Sequence, residues 1–206
     1  PTFNPNTFYD IEQDKQSVFG NPIIGAVWEP GSVLKPIIMA LALDKNVVQP
    51  DTKQTFGASV KVLGHEIFTA EKKAFGEETM TQVLENSDNV GMIWVADKLG
   101  NQSLFDGLKK FGFGTSPDLT MPNVIAGFLP SGPDWNDLTR ATISFGQGIS
   151  TTPMQLAMAY GALANKGKMM QPYLVSEVHD ENGTLVAAQP KEVGQVISED
   201  TSQKIS

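Results

Sequence analysis

The sequence predicts an α+β fold in which helix dominates. Three observations carry that reading. Helical apolar spacing or helix-capping signals mark 32–46, 79–85, 90–99, 101–111, 152–166 and the stretch opened by Ser198. Strand-like runs are confined to 55–70 and to 172–188. A connection over 112–137, crowded with turn formers, separates the helical signals into two groups. A chain of 206 residues suits one domain with a real core.

Residues 1–31 are rich in Pro, Asn and Gly and read as loop. From Ser32 to about Asn46, Leu34, Ile37, Ile38, Leu41 and Leu43 fall on one broad face, which predicts a helix. "FGASVKVLGHEIFTA" holds two short β-like runs with a Leu-Gly-His turn between them. Thr79 to Glu85 is a short helix, interrupted by "NSDN"; Val90 to Leu99 resumes the spacing and Gly100 stops it. Asn101 is placed to cap the next helix, which runs to Phe111. Thr152 and Pro153 form a helix start, continued through "MQLAMAYGALAN" to Lys166-Gly167. "PYLVSEVHDENGTLVAA" reads as a hairpin turning at Asn182-Gly183.

Composition excludes several function classes. A net charge of −8 and a single arginine, Arg140, leave no basic patch to neutralise phosphates, so nucleic acid is not an expected partner. Without cysteine there is no disulfide, thiolate chemistry or Cys-ligated zinc. His65 and His179 lack a second ligand or carboxylate at metal or triad spacing and are expected at the surface. No metal or cofactor is implied. The apolar run Ile37 to Leu43 is too short to span a bilayer. The chain starts at Pro1 without Met and stops at "TSQKIS", which suggests excision from a longer protein.

The chemically pointed stretch is "EPGSVLKP", where Ser32 precedes Lys35 by three residues at a helix start. Two readings stay open. Ser32 caps the helix and Lys35 snorkels along its first turn. Alternatively, Ser32 is a nucleophile and Lys35, its pKa lowered by the apolar run, is the base. A helix N-terminus would then supply backbone N–H groups for an oxyanion. Further on, "ENSDNVGM" supplies Ser87-Asp88-Asn89, by itself a fine cap. Ser-x-x-Lys with Ser-Asp-Asn, however, belongs to the signature of penicillin-binding proteins and class A β-lactamases.

With these motifs on the page, the chain resembles the transpeptidase domain of class B penicillin-binding proteins. "PTFNPN", "EPGSVLKP", "NSDNVGM", "LGNQSLFDGLKKFGFG" and "SFGQGISTTPMQLAMAYGALANKGKMMQPYLV" are all similar to that family, so the likeness covers nearly the whole chain. The resemblance implies a penicillin-binding-protein transpeptidase, serine β-lactamase-like fold. Residues 1–206 would be a partial domain: the helical subdomain with both motifs, plus a hairpin near 172–188, the central sheet being largely absent. It further implies that Ser32 accepts the acyl group, Lys35 takes its proton, Ser87 relays a proton to the leaving group, and Asn89 holds the substrate amide and steadies Lys35. The implied partners are peptidoglycan stem peptides and β-lactam antibiotics. A membrane-anchored parent with cell-wall synthesis partners, at the outer face of the cytoplasmic membrane or in the periplasm of the bacterial envelope, follows by the same route.

Two departures stand out. No lysine is followed by Thr-Gly or Ser-Gly, so the family's third motif is missing, and with it one oxyanion donor. "TMPNVIAG" replaces the family's Gly-Glu, and Asn123 has no mechanistic account. Other readings are a class A-like β-lactamase, a β-lactam sensor without turnover, and a helical module whose motifs are only caps. The first needs a glutamate to activate water. None lies between Glu85 and Glu177, leaving Asp118, Asp134 or Asp137 in the long connection.

Overall fold

The computed structural model of the chain describes residues 4–10, 20–181 and 183–206. Its centre is α2 (Lys35–Asp44), in which Lys35 and every residue from Ile37 to Leu43 are buried. A helix apolar on all sides belongs in the middle of a bundle rather than on its surface. Around it pack α4 (Asn89–Leu99), α5 (Asn101–Lys110), α7 (Pro153–Ala164) and α8 (Glu199–Ile205), with α6 (Asp137–Ile143) on the outer side of α4. Among the described residues no helix is long and apolar enough to cross a membrane.

Helix ends follow their capping chemistry. Thr79 opens α3 (Met80–Glu85) with a capping box to Gln82, Thr152 opens α7 with one to Gln155, and Ser198 caps α8. Asp88 caps α4 through both oxygens, to Val90 N at 2.9 Å and Gly91 N at 3.0 Å. One expected cap is corrected. Gly100, at φ 80°, is the cap of α5, and Asn101 is its first helical residue. The Asn101 side chain is engaged elsewhere, accepting from Arg140 Nη1 at 2.8 Å. Within the stretch expected to be mostly loop, the described residues include a 3₁₀ segment at Pro5–Asp10 and α1 at Pro22–Gly25.

Strands occur as four antiparallel pairs, with no larger sheet among the described residues. The expected hairpin at 55–70 is β2 (Ser59–Val62) with β3 (His65–Phe68), turning at Leu63 and Gly64, both left-handed. The second is β6 (Glu177–Asp180) with β7 (Gly183–Ala187); Asn182 of its turn lies outside the described residues. Two further pairs were not anticipated: β1 (Lys53–Phe56) with β4 (Gly76–Thr79), and β5 (Lys168–Met170) with β8 (Glu192–Gln195).

The long connection over 112–137 is largely irregular, and one buried side chain organises it. Gln155 Nε2 donates to Gly112 O and Thr115 O at 3.0 Å and to Ala126 O at 2.8 Å. Its Oε1 accepts from Thr152 N at 3.0 Å and Thr151 Oγ1 at 3.1 Å. Backbone carbonyls that enter the core without a sheet or helix thus find a donor.

Candidate active site

Ser32 lies in a 3₁₀ turn, Gly31–Leu34, that leads into α2. It makes no side-chain cap, and neither does any residue at the start of α2, so the capping reading of Ser32 does not hold. The turn is set by a close backbone approach. Gly31 adopts φ 61°, and its N–H donates to Gly146 O at 3.0 Å. A Cβ on Gly146 would come within 2.0 Å of Gly31 O, and Gly146 itself has φ 81°. Only glycine fits both demands there. Gly146→Ala is expected to push the Ser32 turn outward and to cost at least ~1–2 kcal/mol from the left-handed backbone alone. A thermal melt compared with that of Gly161→Ala, where a Cβ meets open space, checks it.

Glu29, just before the turn, accepts from Gly148 N at 2.8 Å, so the "FGQG" segment holds the nucleophile motif from two points. Ser32 is exposed at a cleft of about 540 Å³, shared with Asn89, His65, Phe68, Thr142 and Gln147. His65 is on the surface, as expected, and borders this cleft.

Lys35 is the opposite of a snorkelling lysine. It is 2% exposed, and the hydrogen bonds of its side chain all go to the second motif. Nζ donates to Ser87 O at 2.6 Å, Ser87 Oγ at 3.0 Å and Asn89 Oδ1 at 2.7 Å. Burial pulls its pKa from the usual lysine range down to about 8, while the Asp88 carboxylate works in the other direction. The expectation of a lowered value is met in direction. Asp88, the motif's middle residue, was not foreseen as a charge acting on Lys35.

The turn that serves Lys35 is shaped by its neighbours. Asn86 ends α3, Ser87 adopts φ 51°, and Asp88 starts α4. Placing Ser87 in the left-handed region lets both its carbonyl and its hydroxyl face Nζ. Asn89 is fixed at its other end, donating from Nδ2 to Phe68 O of β3 at 3.2 Å. Gly91 permits the tight α3–α4 approach: a Cβ there would meet the Val83 methyls at 2.8 Å. The structure therefore brings Lys35, Ser87 and Asn89 into direct contact, and Asn89 shares the lining of one cleft with Ser32. Among the described residues, no group of three His, Asp or Glu side chains is arranged to hold a metal ion. Sequence reasoning missed the Gly31–Gly146 approach, although the two glycines of "FGQG" beside a Phe were a visible sign of close backbone packing.

Solved structures with a similar fold include penicillin-binding-protein transpeptidase domains. Penicillin-binding protein 3 of Mycobacterium tuberculosis, in complex with aztreonam, superposes at a TM-score of 0.88 with 29% identity, over 98% of this chain and 45% of that one. The D,D-transpeptidase domain of a peptidoglycan glycosyltransferase from Eggerthella lenta gives 0.86 and 25%, over 94% and 50%. The family profile described as penicillin binding protein transpeptidase domain matches residues 1–206. This chain belongs to that family. Among curated relatives, peptidoglycan D,D-transpeptidase FtsI of Escherichia coli K12 is 32% identical over 86% of this chain and 29% of its own length. Penicillin-binding protein PbpB of Mycolicibacterium smegmatis is 29% identical over 99% and 31%. Stage V sporulation protein D of Bacillus subtilis is 31% identical over 100% and 32%. The chain spans about a third of the length of these relatives.

Proposed function

We propose that the chain is the serine-bearing part of a peptidoglycan D,D-transpeptidase. The observation that carries this reading is the buried Lys35, bonded to Ser87 and Asn89 beside a cleft that exposes Ser32. Ser32 Oγ attacks the carbonyl of the penultimate D-alanine of a stem peptide, and neutral Lys35 takes the hydroxyl proton. A bond from Oγ to that carbon forms and the C–N bond to the terminal D-alanine breaks. Ser87, bonded to Lys35 Nζ, passes the proton to the departing amine. Asn89 keeps Nζ in place and presents its amide to the donor strand. The amine of a second stem peptide then attacks the acyl carbon, the ester C–O bond breaks, and Ser32 regains its proton. β-Lactams acylate Ser32 by the same first step. The family's setting supports a parent that works in the bacterial cell envelope, and we assign it to the outer face of the cytoplasmic membrane or the periplasm. There it would be membrane-anchored and would work beside other cell-wall synthesis proteins.

A hydrolytic reading has less support. Asp137 pairs with Arg140 at 2.8 Å, and Asp118 accepts from Gln171 Nε2 at 2.8 Å. Glu66, which lines the Ser32 cleft, accepts from Ser59 Oγ at 2.7 Å. Asp118, Asp134 and Asp137 do not line the Ser32 cleft, and Glu66, which does, is already engaged by Ser59.

The full-length natural protein, given a D-alanyl-D-alanine donor and an amine acceptor, is expected to release D-alanine and to form the cross-linked amide. Acylation by a β-lactam without any such turnover would identify a sensor instead. Fast β-lactam hydrolysis would identify a lactamase.

A further inference from the structure

Behind the Lys35 cluster lie two buried carboxyl groups that the mechanism above does not use. Glu78 of β4 is 3% exposed and Asp88 is fully buried. Glu78 Oε1 accepts from Asn86 Nδ2 at 2.7 Å. Its Oε2 is buried without a donor, and the group beside it within hydrogen-bonding reach is the Asp88 carboxylate. Two facing carboxylates repel; with one proton between them they share a hydrogen bond. The proton belongs on Glu78. Each Asp88 oxygen already accepts a backbone N–H at the start of α4, whereas Glu78 Oε2 has no donor of its own. Burial and the Asp88 charge also push the Glu78 carboxyl above the usual glutamate range.

We propose that Glu78 is a positioning residue for the acyl-transfer site. As a neutral acid it donates from Oε2 to Asp88 while Oε1 accepts from Asn86, so that it clamps both neighbours of Ser87. Its effect is on the turn. Ser87 holds a left-handed backbone between Asn86 and Asp88, and that backbone aims its carbonyl and hydroxyl at Lys35. The proton also keeps the carboxyl pair at a single negative charge, so one carboxylate rather than two acts on Lys35. Other charged groups near β4 face away. Lys53 of β1 pairs with Glu77 in solvent, and Glu85 of α3 is exposed.

This inference rests on the acyl-transfer reading, and its test separates the two. In the full-length protein, the rate of β-lactam acylation is measured against pH for wild type, Glu78→Gln and Glu78→Leu. Glutamine reproduces the neutral acid, with Nε2 facing Asp88 and Oε1 facing Asn86. Glu78→Gln is expected to keep acylation and the wild-type pH midpoint. Glu78→Leu strands both partners and is expected to lose about 10- to 100-fold in rate per folded molecule. The infrared spectrum is expected to contain a protonated-carboxyl band that Glu78→Gln removes. A midpoint lowered in Glu78→Gln would show that Glu78 was charged, and would overturn the proposal. So would a missing band, or a folded Glu78→Leu that acylates at the wild-type rate. If Glu78→Leu does not fold, the midpoint and the band decide. A wild-type protein that is never acylated at Ser32 would instead sink the transpeptidase reading, with the infrared band still deciding the state of Glu78.

Discussion

Ser32→Ala is expected to abolish β-lactam labelling while leaving the fold intact. The side chain is exposed, caps no helix and donates no hydrogen bond to the frame. Its turn is held by backbone contacts at Gly31 and Gly146, which alanine leaves in place. The stability change should therefore stay within about 0.5 kcal/mol, as for surface substitutions that break no cap or core contact. Loss of a nucleophile of this kind typically removes on the order of 10⁴–10⁶ in rate, which takes the adduct below detection. Intact mass and peptide mapping of the full-length protein give the result directly. Wild type gains one β-lactam mass on the peptide that contains Ser32, and the variant gains none. An adduct that survives in Ser32→Ala would assign the nucleophile to another residue, with Ser87 the first to test.

Lys35→Arg is the second large effect, and it separates a base from a fixed charge. With its pKa at about 8, roughly one Lys35 in ten is neutral at pH 7, against fewer than one in a thousand for an ordinary lysine. The direction with pH follows. Below about pH 8 the ammonium form dominates and all three Nζ protons are spent on Ser87 and Asn89. As pH rises through 8 the amine gains a lone pair for the Ser32 proton, so acylation climbs and then levels. Arginine keeps the charge but does not lose a proton in a protein. The variant is expected to lose about 10²–10⁴ in acylation rate, with no rise around pH 8. The guanidinium is also bulkier in a buried pocket, so its melting temperature is measured alongside. Near-wild-type acylation by a folded Lys35→Arg would show that positive charge, rather than proton transfer, is what the site requires.

Much of this site was legible because its signals are local. The apolar run after Lys35 foretold its burial, and the Ser-x-x-Lys and Ser-Asp-Asn spacings named the residues that meet. Thr79 and Thr152, read as the starts of their helices, cap them in the structure. The misses are non-local. β1 and β4 are four-residue strands of sequence KQTF and GEET, without apolar alternation, and residues 57–75 lie between them. β5 and β8 are likewise short and far apart in sequence. Asn101 looked like a cap because its competitor, Arg140, lies 39 residues away. Glu78 carried no signal at all, since a glutamate in a polar strand reads as solvated until the fold closes over it.

The Gln155 clasp bears on how this domain can evolve. It grips the 112–137 connection by carbonyl oxygens of Gly112, Thr115 and Ala126, which every residue type provides. Side-chain identity between those anchor points is therefore weakly constrained, whereas the number of residues between them is not. Apart from Ser116 and Asp118, whose side chains bond to Val124 O and Gln171, lineages should drift in the letters from 116 to 125 yet rarely gain or lose a position there. Gln155 itself, with one amide serving three carbonyls, leaves natural selection almost no substitute.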